Sequence, residues 1–276
     1  MMKDSKNYKK HTTKIAIIGG TYLKSAMLDS GFLEEKSFII ETPVGRSPEI
    51  WNGNSKNIPF YYVHDHGSGK FVETWAALYQ LGVKEVIGGA TAGGINPTMK
   101  TRDFVVPNDF IDFNYERPRA LPDAIFNDDG LILPRYTPAT EPYLDEILLS
   151  ETKRRLDMDS ALADIHVHKG GVVVQAAGGR FETPAEIRMF QQMGGDLVTM
   201  CIGTEIAYAR MAGINYSCLV IISNPAEGLG DWKFDSLLDI YQTLNTVSLD
   251  ILVSALPHIA NLEGKSRIGD ELRIHP

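Results

Sequence analysis

From residue 14 onward the chain alternates short apolar runs with longer amphipathic ones. "KIAIIGG", "SFIIETP", "PFYYVHDHG", "EVIGGATAGG", "DFVVPNDFIDF", "IHVHKGGVVVQAAGG", "DLVTMC" and "SCLVIIS" are rich in β-branched and aromatic residues. Several are apolar at nearly every position, the pattern of strands covered on both faces. Helical patterns lie between them. "FVETWAALYQLG" stops at Gly82, and "EPYLDEILLSETKRRL" repeats its apolar residues at three- and four-residue spacing. "TPAEIRMFQQMGG" opens with a capping box: Thr183 at the cap, Pro184 at the first helical position and Glu186 three residues after the cap. "TEIAYARMAG" reads as another short helix, and "FDSLLDIYQTLNTVSLDILVSALPHIANL" as a long amphipathic one that covers the rest. No compositional break marks a linker. The alternation therefore predicts one α/β domain over residues 14–276, with a central mixed, largely parallel sheet flanked by helices. Residues 1–13 are basic without an apolar stretch, which predicts a disordered tail and not a signal peptide. The least regular segment is "NYERPRALPDAIFNDDG", and long irregular loops in compact domains usually carry function or flexibility.

Composition narrows the classes. The 276 residues are 43% hydrophobic and 22% charged, enough for a sizeable core. A net charge of -8 leaves no basic surplus to neutralise a nucleic-acid backbone, although it allows a small anion in a local site. Two cysteines, Cys201 and Cys218, point to a reducing compartment and not to a disulfide framework. No apolar run reaches the ~18 residues of a membrane helix. The expectation is a cytoplasmic protein with neither nucleic acid nor membrane as partner.

The candidate chemistry sits at strand ends. Gly19-Gly20-Thr21 follows one strand, and Thr91, Ala92, Gly93 and Gly94 end another. Backbone amides and hydroxyls at such exits can receive an anion. Carboxyl ends of strands in open α/β sheets converge on the crevice where ligands bind. Two histidine pairs, His64/His66 and His166/His168, have the spacing of one strand face, but a metal needs three or four convergent ligands. No metal is expected. Gly67-Ser68-Gly69-Lys70 fails as a phosphate loop of the Walker type, because Phe71 stands where the magnesium ligand belongs. Phe181 and Glu182 precede the capped helix, and a ring beside a carboxylate suits a flat heterocycle with N–H groups. The same pair also fits a stapled helix start with a solvated acid.

The run "GGRFETPAE" followed by "TMCIGTE" resembles the trimeric purine nucleoside phosphorylase and methylthioadenosine phosphorylase family. Further matches are "IGGTY", "ETPVG", "LGVKEVIGGATAGGIN", "DFVVPNDFID" and "IISNPAEG", in the family's order from about Lys14 to the final helix. The resemblance implies a nucleoside phosphorylase-like fold. It implies cleavage of a purine N-glycosidic bond by inorganic phosphate as co-substrate, without a cofactor, giving free base and sugar 1-phosphate. It also implies a homotrimer or a dimer of trimers. By the same resemblance Asn224 bonds N7 and the 6-substituent, Phe181 and Glu182 hold the purine, and Met200 packs under the ribose. Thr21, His66, Thr91 and the Ala92 amide hold phosphate. Asn224 with Glu182 is the family's 6-oxopurine pattern, since an amide can donate to a C6 carbonyl and an ionised carboxylate cannot. The expected substrate is inosine-, guanosine- or methylthioinosine-like. Leu237 and Leu238 hint at an apolar wall for a 5′-deoxy or methylthio group.

The chain departs from the family on the nucleophile side. Asp65 stands where the family has an arginine, Cys201 where it has Ser or Thr, and Tyr22 where it has a glycine whose replacement crowds the turn. Reversing a charge beside a dianion is worth several kcal/mol in a partly dry site. Three outcomes stay open. Lys70, Arg46 or Arg180 supplies the missing cation; or Asp65 activates water in a phosphate-independent hydrolase; or the protein binds nucleosides without turning them over. Asp65 could also point away and pair with Lys70 or Arg46.

Overall fold

The computed structural model describes residues 13–66, 68–126 and 133–262, with the backbone of 273–274. The tail expected over 1–13 lies almost wholly outside the described residues, as does Gly67. In chain order the elements are β1 (Ile15–Gly19), α1 (Thr21–Asp29), β2 (Leu33–Phe38), β3 (Glu41–Thr42), β4 (Gly45–Arg46), β5 (Ile50–Ser55), β6 (Ile58–His64), α2 (Phe71–Gln80) and β7 (Glu85–Gly94). They continue with β8 (Phe104–Val106), β9 (Asp109–Asp112), β10 (Leu133–Pro134), α3 (Pro142–Asp157), β11 (Val167–Lys169), β12 (Val172–Gln175) and α4 (Pro184–Gln192). The last are β13 (Leu197–Thr199), α5 (Ile202–Met211), β14 (Asn215–Pro225), α6 (Phe234–Ala260) and β15 (Arg273–Ile274).

An 11-stranded sheet dominates, with the path β11-β8-β14-β7-β1-β6-β5-β2; β12 joins β9 to β13, and β13 joins back to β7. β1 pairs β6 and β7 in parallel, and β7 pairs β14 in parallel; antiparallel pairs are confined to β2–β5–β6, β8–β14 and β7–β13. This is the mixed, largely parallel α/β sheet the alternation predicts.

Successive residues of the central strands enter two different cores. Ala16 and Ile18 of β1, Tyr61 and Val63 of β6, and Val220 and Ile222 of β14 pack with Trp75 of α2 and Tyr208 of α5. Ile15 and Ile17, Phe60 and Tyr62, and Leu219 and Ile221 pack with Leu23 of α1, Leu148 of α3 and Leu252 of α6. The unbroken apolar runs are thus the signature of strands buried on both sides. α4 starts as expected, with both halves of the Thr183/Glu186 capping box formed.

Two long apolar runs divide. "DFVVPNDFIDF" becomes β8 and β9, because Pro107 has no N–H for a ladder. "IHVHKGGVVVQAAGG" becomes β11 and β12, parted by Gly170 and Gly171 at φ of 81° and 147°, where a side chain would be strained. The halves then re-pair, β11 with β8 and β12 with β9, so one excursion displaces both strands together. The irregular "NYERPRALPDAIF" segment contains one 3-10 turn, Asp123–Ile125, and packs Leu121 and Phe126 into the core.

Candidate active site

The carboxyl ends of the parallel strands β1, β6, β7 and β14 lie at one edge of the sheet. The β7–β14 register sets Thr91 beside Ile221 and Ala92 beside Ile222, then breaks and sets Asn224 beside Gly93. β13 runs antiparallel to the end of β7, with Val198 beside Gly93, so Met200 and Cys201 follow back along the Thr91–Ala92 stretch. Gly20 N donates to Gly89 O at 3.2 Å and ties the β1 exit to β7, which places Thr21 at the start of α1 on the same edge. Thr21, His66, Thr91, Ala92, Met200 and Asn224 therefore gather at one sheet edge, although they are spread over most of the chain.

His66 is the centre of a buried polar cluster at this edge. It contacts Glu205 Oε1 through Nε2, and Glu205 Oε2 accepts from the Tyr216 hydroxyl. Glu205 is fully buried on α5, a helix with every residue buried. Burial opposes an imidazolium, but the neighbouring Cys201 sulfur and Glu205 carboxylate outweigh it and hold His66 well above its usual range. Burial would raise Glu205, but His66 and the Tyr216 hydroxyl hold it below the usual carboxylate value. The pair is thus a buried imidazolium–carboxylate. Gly20 makes it possible: a Cβ there would lie 2.6 Å from His66 Nδ1. A Gly20→Ala variant is expected to displace the imidazole and raise KM for an anionic co-substrate at least about tenfold, the scale of one charge-assisted hydrogen bond; titrating phosphate in initial-rate assays checks this.

A ring nitrogen of His66, Cys201 Sγ and a Glu205 oxygen lie within 4.8 Å of one another. These are metal-ligand types, yet His66 Nε2 and Glu205 already touch directly, so the set is built as a hydrogen-bonded chain. The two H-x-H pairs do not meet: β8, β14, β7 and β1 separate β6 from β11, and His168 Nε2 instead bonds Asp103 at 2.8 Å. His64 is pushed down to about 4 by burial, aided by Lys24 and His66, and stays neutral.

Asp65 is fully buried and does not pair with Lys70 or Arg46. Its Oδ1 accepts from Thr74 Oγ1 at 2.6 Å and Ser68 Oγ at 3.3 Å, at the start of α2. Its Oδ2 is buried without a partner among the described residues. Burial, with the nearby Glu205 charge, pushes its carboxyl up to about 6. The three cations weighed as substitutes for the missing arginine are held elsewhere. Lys70 Nζ donates to Arg46 O at 3.1 Å and Ser47 O at 3.5 Å; Arg46 pairs with Glu41 at 2.9 Å; Arg180 makes a two-pronged bond to Glu186 at 2.8 and 2.9 Å. Tyr22 does not crowd the turn. Its ring turns away into the core under α6, beside Gly89, where a Cβ would meet its hydroxyl at 2.8 Å.

At the other end Phe181 is 47% exposed and meets Trp232 edge-to-face, with centroids 5.2 Å apart. Trp232 Nε1 donates to Glu227 Oε1 at 3.2 Å. Burial raises the Glu182 carboxyl, and its neighbour Glu186 adds to the shift. Asn224 is buried, its Oδ1 accepting from Ser223 Oγ at 2.8 Å and its Nδ2 donating to Pro225 O at 2.9 Å. Met200 lies beside Gly178, where a Cβ would meet its sulfur at 3.7 Å. Leu237 is buried, which leaves Leu238 as the exposed half of the expected apolar wall.

The sequence reading gave no role to Glu205, Tyr216, Trp232, Glu227 or Tyr241. Two of them had a usable signal, since Glu205 closes the "TMCIGTE" motif and Glu227 lies within "IISNPAEG".

The geometry has counterparts. The profile of the phosphorylase superfamily matches residues 65–257. The chain belongs to the phosphorylase superfamily. It is 33% identical over 262 residues to the probable 6-oxopurine nucleoside phosphorylase of Moorella thermoacetica, covering 89% of this chain and 93% of that one. It is 33% identical to the probable S-methyl-5'-thioinosine phosphorylase of Methanothermobacter thermautotrophicus, covering 88% and 83%. A mutant adenosine/methylthioadenosine phosphorylase from Schistosoma mansoni, crystallised with methylthioadenosine, superposes with a TM-score of 0.81 at 22% identity, covering 94% and 96%. That likeness shows the shared fold. No helix among the described residues is long and apolar enough to cross a membrane.

Proposed function

We propose that this phosphorylase-superfamily enzyme cleaves the N-glycosidic bond of a 6-oxopurine nucleoside with inorganic phosphate, as a pentosyltransferase without a cofactor. The observation that carries the reading is the β7–β14 register. It sets Asn224 beside Gly93, two residues from Thr91, which supports reading one strand pair as both purine reader and anion cradle. The relatives' names support the same chemistry. Phosphate approaches the anomeric carbon held by Thr21, Thr91, the Ala92 amide and His66, while Asn224 bonds N7 and the 6-carbonyl of the departing base. Charge that grows on the base during cleavage makes the N7 bond stronger in the transition state than in the ground state. Phe181, with Trp232 against it, and Glu182 hold the ring, and Met200 lies under the sugar.

Nothing favours the hydrolase alternative. Asp65 is enclosed and its Oδ1 is already engaged by two hydroxyls, whereas a base for water needs open reach to it. A homotrimer or dimer of trimers fits the exposed Phe181, Leu229, Phe234 and Leu238, which a neighbouring subunit would cover. Two buried, unpaired cysteines fit a cytoplasmic location.

Product analysis on inosine, guanosine and methylthioinosine, with and without phosphate, tests the reading. Base and sugar 1-phosphate are expected only when phosphate is present. Free sugar released at equal rate without phosphate would falsify it, and binding without turnover would make the protein a nucleoside carrier.

A further inference from the structure

The anion end presents an unsolved charge problem. Two buried carboxylates, Asp65 and Glu205, stand near the cradle, and Lys70, Arg46 and Arg180 are all held elsewhere. His66 is the one cation among the residues assigned to the cradle; Arg117, bonded to Thr204 Oγ1 at 3.2 Å, adds to the lowering of Glu205 from outside that set, and neutral donors share the remaining work.

Thr91 has a partner that no motif anticipates. The hydroxyl of Tyr241, on the second turn of α6, lies 3.2 Å from Thr91 Oγ1 across 150 residues of sequence. Its ring packs against Tyr22 with centroids 6.1 Å apart at 49°, and Leu237, Ile240 and Leu244 around it on α6 are buried. The helix face is therefore anchored, and the phenol is held against Thr91 with few alternative positions. A threonine hydroxyl has one proton and two lone pairs. If the phenol donates to Oγ1, the threonine proton is left to point at a ligand. If Thr91 donates to the phenol, the cradle loses that donor.

We propose that Tyr241 is a positioning residue of the phosphate subsite: its hydroxyl donates to Thr91 Oγ1 and so directs the Thr91 proton at phosphate. This rests on the reading of Thr91 as a phosphate ligand and extends it to the final helix, where only an apolar wall was expected. The arrangement strengthens a dianion site without adding a cation, which suits a cradle that contains Asp65.

The test is steady-state kinetics of Tyr241→Phe, Thr91→Val and the double variant, with phosphate and inosine varied separately, and thermal unfolding of each. Tyr241→Phe keeps the ring and removes only the hydroxyl. Its KM for phosphate is expected to rise about fivefold, the worth of one neutral hydrogen bond, with kcat and KM for inosine within about twofold of wild type. The double variant is expected to bind phosphate no worse than Thr91→Val, because the phenol acts only through the threonine. A rise confined to KM for inosine would assign the phenol to the sugar and overturn the proposal. So would a lowered unfolding temperature with unchanged KM for phosphate, the mark of a strap between α6 and the sheet, or additive effects in the double variant. Wild-type turnover indifferent to phosphate would overturn the phosphorolysis reading itself, an outcome seen before any variant is made.

Discussion

Asn224→Asp lowers kcat/KM for inosine by about 10- to 100-fold and raises that for adenosine, so the ratio of the two inverts. The side chain is buried, and its amide is already oriented by Ser223 Oγ on one side and Pro225 O on the other. An Asp has the same size and still accepts from Ser223 but loses the bond to Pro225 O, so thermal unfolding of the variant is measured beside its rates. It can no longer donate to a 6-carbonyl, and it sets a carboxylate against that oxygen. Leaving the buried 6-carbonyl without its donor costs about 1–3 kcal/mol, which gives the stated range. A 6-amino group supplies the donor that the new carboxylate needs, so adenosine gains where inosine loses. Initial rates on both nucleosides at saturating phosphate measure the ratio. A ratio that does not move would remove Asn224 from base recognition.

Asp65→Asn is expected to stabilise the protein at pH 8 by about 1–3 kcal/mol and to lower KM for phosphate there. The Asp65 carboxyl titrates at about 6 in the folded chain, against about 4 unfolded. The folded state therefore binds the proton more tightly. Its advantage is complete below about pH 4, shrinks between pH 4 and 6, and above 6 the buried charge carries its full cost. Asn keeps an oxygen for Thr74 and Ser68 and carries no charge at any pH. The difference in unfolding free energy between variant and wild type should thus grow from near zero at pH 4 to its plateau above pH 6. Asp145 also titrates at about 6, but it is common to both proteins and cancels in the difference. Urea unfolding at pH 4, 6 and 8 reads the profile. A difference independent of pH would mean that Asp65 is not the titrating group. The same variant bears on the nucleophile: a base for water at position 65 predicts loss of turnover, whereas an unfavourable charge near the cradle predicts tighter phosphate.

Much of the base end was legible as local pattern. The Thr183/Glu186 capping box fixes the start of α4, and Glu182 and Phe181 precede Thr183 by one and two residues, so their placement follows from short-range geometry. The strand exits at Gly20 and at Thr91–Ala92 were legible too, because glycine-rich ends of apolar runs have few other readings. Asp65 was legible as an anomaly but not as a contact. Its partners are two hydroxyls three and nine residues on, and they are no more conspicuous in the sequence than the cations first weighed for it.

By itself the sequence determined the layered α/β domain, because strands buried on both faces must be apolar throughout and the helices between them must be amphipathic. Its motif order also pointed to the phosphorylase superfamily, to which the chain belongs. Only the tertiary structure decided the electrostatics of the anion end. Glu205 reaches His66 across 139 residues, Tyr241 reaches Thr91 across 150, and Lys70, Arg46 and Arg180 are each diverted to other partners. Charge and hydrogen-bond direction depend on which groups face one another within a few ångströms. The packing of α5 and α6 against the sheet sets those distances, and no local pattern in the chain records them.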